Sequence, residues 1–167
     1  MHAERAVTTG KDDRDWTLKP GADRPVAIRE VMTRDVEVVA PDDSVQRAAQ
    51  RMDELNVGSL PVCKDDRLVG MITDRDITIR ATAAGLAPGA TRVADVMSEQ
   101  TRWCTEEQGV DEVMRQMRDV QIRRLPVLDA EQHVVGIVSL GDLAVRQPDS
   151  IGSTLCEISS PSEPDRR

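Results

Sequence analysis

Apolar residues along this chain keep two rhythms, and both rhythms occur twice. Val45, Ala48, Ala49, Met52 and Leu55 stand three or four positions apart, which predicts an amphipathic helix with Ser44 as its cap. Val110, Val113, Met114, Met117 and Val120 keep the same spacing and predict a second. Residues 36–39 form a short β-branched run closed by Pro41-Asp42-Asp43-Ser44, the pattern of a strand. Residues 60–63 and 68–73 predict two more strands around a Lys64-Asp65-Asp66 turn, followed by a helix from about Asp74 until Gly85 stops it.

The same words return in the same order. Ile28-Arg29-Glu30-Val31-Met32 reappears as Val93-Ala94-Asp95-Val96-Met97, and Leu60-Pro61-Val62 as Leu125-Pro126-Val127, each 65 positions later. Val69-Gly70 then matches Val135-Gly136 at 66, so one residue is inserted at the polar turn Asp129-Ala130-Glu131-Gln132, where insertion costs least. Each copy reads β-α-β-β-α. A unit of about 60 residues buries too little surface alone. The expectation is therefore an α+β fold in which two pseudo-symmetric units pack sheet to sheet into one disc. The expected divisions are a flexible tail over 1–25, with Trp16-Thr17-Leu18 touching the body, units at 26–88 and 89–146, and an extension at 147–167. Within that extension, Pro148-Asp149-Ser150 starts a short helix through Ile151, Leu155 and Ile158, and residues 160–164 read as disordered.

Composition narrows the function. Aromatic residues are 1% of the chain, with two Trp and no Phe or Tyr, which leaves few rings to stack on bases. The net charge of -8 repels polyanions, arguing against nucleic-acid and acidic-membrane partners while leaving room for a local basic cluster that holds a small phosphate. The apolar runs are too short to span a bilayer and the amino terminus has no signal-type stretch, so a cytoplasmic protein is expected. Cys63, Cys104 and Cys156 are scattered, with no CxxC and only His2 and His133 beside them, so neither a disulfide framework nor a metal site is expected.

Single residues keep plain readings beside sharper ones. Met52, Met114 and Met117 lie on the apolar stripes and read as core or subunit contact. Cys104, next to Trp103, reads as a strand residue, because a nucleophile there would need a base that neither His supplies by position. His133 falls in a turn, and Pro61 and Pro126 each open a strand. Thr73 and Asp76 are open to two readings, a helix cap with a first-turn acid or part of a site. Arg123 and Arg124 are likewise open: solvated, paired with Asp119 and Glu112, or reaching a phosphate.

The motifs Val57-Gly58-Ser59-Leu60-Pro61-Val62 and Gly70-Met71-Ile72-Thr73-Asp74-Arg75-Asp76 have counterparts in Ile122-Arg123-Arg124-Leu125-Pro126-Val127 and Gly136-Ile137-Val138-Ser139-Leu140-Gly141-Asp142. Over about residues 26–146 this arrangement resembles the tandem CBS domain pair, or Bateman module. The resemblance implies a cleft on each side between the units that accepts AMP, ADP, ATP or a related adenosyl ligand, and it implies homodimers. It places Thr73 and Ser139 hydroxyls and the N–H groups after them at a phosphate, with Asp76 and Asp142 accepting from the ribose diol. Val57, Gly58 and Ser59, like Ile122, offer backbone to the adenine edge, and Met71 and Ile137 cover the ring. Arg123, Arg124 and Arg75 are candidates for phosphate, so the second copy has the stronger phosphate grip. No catalysis and no obligatory cofactor are expected. The competing readings are a ligand-independent, stress-associated adaptor with vestigial clefts, serving an unidentified effector protein, and an enzyme. Inosine-monophosphate dehydrogenase carries such domains, but its barrel of at least ~200 residues has no room here.

Overall fold

The structure, a computed structural model, describes residues 25–146 and 148–159. The expectations for the amino-terminal tail and for residues 160–164 lie outside them. In chain order the elements are β1 (Thr33–Arg34), α1 (Val45–Leu55), β2 (Ser59–Lys64), β3 (Arg67–Thr73), α2 (Asp74–Asp76, running on as π-helix over Ile77–Thr82), β4 (Cys104–Thr105), α3 (Val110–Asp119), β5 (Arg124–Leu128), β6 (Val134–Ser139), α4 (Leu140–Arg146) and α5 (Pro148–Ser159). Short 3-10 turns cover Ile28–Glu30 and Val93–Asp95.

Local chemistry sets most of these bounds. Ser44 Oγ accepts the Arg47 N–H at 3.1 Å and starts α1. Asp65 and Asp66, at φ 50° and 62°, supply the left-handed pair that a two-residue hairpin turn between β2 and β3 requires. Gly85 ends the helix after β3 at φ 70°, a conformation glycine adopts without a side-chain penalty. The run at 36–39 departs from its expected strand: only Val39 pairs, bridging Val62 in parallel, and its neighbours Glu37 and Val38 are exposed. Asp35 at φ 55° turns the chain just before it, so the upstream pairing falls to Thr33 and Arg34 instead. Val120 also departs, since α3 ends at Asp119 and Val120 sits outside it, exposed.

The strands form a four-stranded sheet in the order β1-β6-β5-β4 and a two-stranded sheet of β2 and β3. The hairpins meet where Arg67 bridges His133, equivalent positions of the two repeats, as a pseudo-twofold relation requires. The leading segment of each repeat lies against the other. Ile28 N–H donates to Gln108 O at 2.9 Å, and its counterpart Val93 N–H donates to Asp43 O at 2.8 Å. Val110 N–H donates to Val26 O, and Val45 N–H to Thr91 O. The apolar side chains follow. Ile28 and Met32 join Val113, Met117, Leu125 and Val138 in one core, while Val93 and Val96 join Val45, Met52, Leu60 and Ile72 in the other. The cores therefore interlock, and each is completed by the opening residues of the other repeat. The helix expected from residue 148 forms as α5, and Ile158 closes the second core at 5% exposure. No described helix is long and apolar enough to cross a membrane.

Candidate functional site

In the first repeat, β3 delivers Thr73 to the start of α2 in extended conformation, and a Thr-x-x-Asp box closes around it. Thr73 Oγ1 accepts the Asp76 N–H at 3.0 Å, while Asp76 Oδ2 accepts from the Thr73 N–H at 3.0 Å and its hydroxyl at 2.7 Å. The Asp76 side chain is 13% exposed, and its Oδ1 lies 3.6 Å from Arg80 Nε. Arg80 in turn donates to the carbonyls of Val96 and Met97 at 2.9 and 2.8 Å, tying the helix to the leading segment that crosses it. The Asp74 N–H donates to Gly58 O at 3.1 Å, and Asp74 Oδ1 accepts the Arg75 N–H at 2.7 Å. Asp74 Oδ2 sits 3.0 Å from where a Gly58 side chain would begin, so the carboxylate would have to shift slightly for any larger residue there. Ser59 lies across the ladder from Thr73, 8% exposed, and its Oγ is the one buried side-chain polar atom without a hydrogen-bond partner among the described residues.

The second repeat rebuilds the box with different surroundings. Asp142 Oδ2 accepts from the Ser139 N–H at 2.8 Å and its hydroxyl at 2.7 Å. Leu140 N–H donates to Arg123 O at 2.9 Å, just as Asp74 does to Gly58, yet the Leu140 side chain is buried in the core. Arg124 pairs with Ser139 across the ladder, in the place Ser59 holds opposite Thr73. Arg123 and Arg124 are both exposed, and among the described residues neither forms an ion pair. The alternative pairing with Asp119 and Glu112 does not form, and Glu112 accepts from Gln108 Nε2 instead. Arg75 is exposed as well, and forms no ion pair among the described residues.

The structure thus brings Gly58, Ser59, Thr73 and Asp76 together at one strand-to-helix junction, and Arg123, Arg124, Ser139 and Asp142 at the other. No hydrogen bond or ion pair among the described residues joins the two sets. Met71 and Ile137 are half-buried, paired with Ser98 and Thr33 of the crossing segments. Val57 is 40% exposed, whereas Ile122 packs on the second core. Each aspartate has Oδ2 engaged in its box and Oδ1 outside it, and for Asp76 that outer oxygen faces Arg80. A hollow of about 250 Å³ lies instead near the hairpin tips, between Arg67, Val69, Trp103, Leu128 and Gln132, and none of the expected residues lines it. Asp74 and Arg80 were not expected at either junction. Asp74 is legible only as a difference, because the second copy has Leu140 in its place.

The thiols bear on other chemistry. Burial, with Glu112 adding to it, pushes Cys104 up to about 12, and burial beside Asp66 pushes Cys63 up to about 11, so neither is an activated nucleophile. Cys104 is a strand residue, as its position implies. No group of three or more metal-binding side chains occurs among the described residues.

The model of the CBS domain matches this chain twice, over residues 28–81 and 93–148. The CBS domain-containing protein YhcV of Bacillus subtilis is 42% identical over 135 residues, spanning 80% of this chain and 95% of that protein. The CBS domain pair of MJ0100, solved in complex with 5'-methylthioadenosine and S-adenosyl-L-methionine, is 25% identical, with a TM-score of 0.65 over 72% of this chain and 94% of that one. CBSX2, solved in complex with AMP, is 27% identical, with a TM-score of 0.62 over 73% of this chain and 95% of that one. Two copies of one motif, two interlocked cores and two family matches agree, and the chain belongs to the CBS-domain family as a tandem pair.

Proposed function

We propose that this protein is a regulatory module that binds an adenine nucleotide or related adenosyl ligand in the cytoplasm, works as a homodimer on an effector protein, and catalyses nothing. The observation that carries this reading is the exposed pair Arg123 and Arg124. In a chain of net charge -8, these two cations stand beside the Ser139–Asp142 box and form no ion pair among the described residues. Such a pair supplies charge-assisted hydrogen bonds to a phosphate, each contributing about 1.5 to 3 kcal/mol. The adenosyl ligands of MJ0100 and CBSX2 support the ligand class. The unpartnered Ser59 hydroxyl supports a second ligand position in the first repeat.

The adaptor reading draws on the two capping boxes, in which Thr73 with Asp76 and Ser139 with Asp142 have work to do without any ligand. Calorimetric titration with AMP, ATP, NAD and S-adenosylmethionine separates the two. Binding raises stability by roughly 2.7 kcal/mol at about 100 times Kd, and Arg123→Ala with Arg124→Ala removes the phosphate-dependent part. These substitutions are the cleaner probe, because changing Asp76 or Asp142 also removes a helix cap worth about 1 kcal/mol. Silence with all four compounds sinks the sensor and leaves the adaptor.

A further inference from the structure

We propose that Asp74 sets the charge of the ligand in the first repeat, so that this cleft takes an adenosyl compound bringing no phosphate to the junction and favours a cationic one. The inference rests on the nucleotide-binding reading and adds the ligand class of one of its two sites.

Three observations carry it. At the start of α2 the first three N–H groups already have partners: Asp74 donates to Gly58 O, Arg75 to Asp74 Oδ1, and Asp76 to Thr73 Oγ1. An anion arriving there finds none of these three N–H groups free and meets the Asp74 carboxylate, next in sequence to the exposed Arg75. That carboxylate is exposed, with Oδ1 accepting the Arg75 N–H and Oδ2 3.0 Å from where a Gly58 side chain would begin. The equivalent pair in the second repeat is inverted, since Leu140 is buried and Arg123 brings a cation to the place of Gly58. The first junction therefore sets the Asp74 carboxylate beside Arg75, whereas the second carries Arg123 and Arg124 with no acidic residue in the place of Asp74. Ser59 is the independent sign that the first junction is a site at all. Its hydroxyl is more than nine-tenths buried and unpartnered, on the strand face turned away from Leu60 and the core, across from Thr73. A ligand hydroxyl or ring nitrogen would satisfy it.

The test uses the full chain with AMP, adenosine and S-adenosylmethionine as probes in calorimetry and native mass spectrometry. The wild type is expected to take one AMP, lost in Arg123→Ala with Arg124→Ala, and to take S-adenosylmethionine or adenosine as a second ligand when AMP is saturating. Asp74→Asn keeps an acceptor for the Arg75 N–H and removes the charge. It should raise AMP affinity at the first repeat about tenfold, so that a second AMP appears, and lower S-adenosylmethionine affinity by a similar factor. Two equal AMP sites in the wild type, or an Asp74→Asn protein whose AMP and S-adenosylmethionine binding are unchanged, overturns the proposal while leaving nucleotide binding intact. No binding of any probe to either protein overturns the nucleotide reading itself.

Discussion

Two glycines carry the interlocking of the repeats. A methyl group on Gly70 would lie 2.8 Å from Ser98 O and 3.0 Å from Met97 Sδ, and one on Gly136 would lie 2.8 Å from Thr33 O and 2.7 Å from Met32 Sδ. The intruding atoms belong to equivalent residues of the two crossing segments, so a single steric requirement is met twice. Part of each obstruction is backbone, which cannot swing aside as a side-chain terminus does. Gly70→Ala and Gly136→Ala should each cost about 1 to 3 kcal/mol in urea unfolding. Gly152→Ala, in helix α5 with nothing within 4 Å, should instead stabilise by about 0.5 to 1 kcal/mol. Equal effects at all three positions would contradict the steric account. The repetition of Val-Gly was plain in the sequence, but its reason was not, because the atoms that exclude a side chain come from segments 27 or more positions away. Asp74 was hidden for the opposite reason. Comparing copies draws attention to shared residues, and Asp74 matters where the copies differ.

Among the elements, legibility tracked the range of the interactions. α1, β2, β3 and the turn between them were readable because a cap, a two-residue turn and alternating apolar positions act over a few residues. β1 and the single bridge at Val39 were not, since their partners sit in β6 and β2 and pairing depends on where the chain returns. The exchange of leading segments is the largest such case. Ile28 opens the first repeat yet is fully buried in the core of the second. Ile28→Ala should therefore cost about 2 to 5 kcal/mol, and the loss has a location. Hydrogen exchange should speed up first in β5 and β6, whose inner residues share that core, while β2 and β3 keep their protection. Faster exchange confined to β2 and β3 would show that the segments are not exchanged.

At the scale of the whole molecule, the duplication creates a repeated surface as well as a repeated core. Ile79 and Val145 occupy equivalent positions on the helices that follow β3 and β6, and both are large apolar side chains left outside, at 51% and 75% exposure. An isolated exposed valine needs no explanation, but the same position left apolar in both repeats is what a self-complementary contact uses. The homodimer proposed above should form through these positions. With -8 on each chain, association works against like-charge repulsion, so the dimer should tighten as salt rises from 0.01 to 0.15 M. Light scattering should give twice the chain mass for the wild type, and Ile79→Glu or Val145→Glu should each halve it by forcing charges into an apolar contact. The arrangement follows from one further protein. If partners run antiparallel, Ile79 meets Val145, and Ile79→Glu combined with Val145→Lys in a single chain restores the dimer. If they run parallel, like charges meet like and that chain stays monomeric, while mixing Ile79→Glu with Ile79→Lys chains restores it. A wild type that is monomeric at both salt concentrations, or a dimer indifferent to both single substitutions, would remove this face from the assembly.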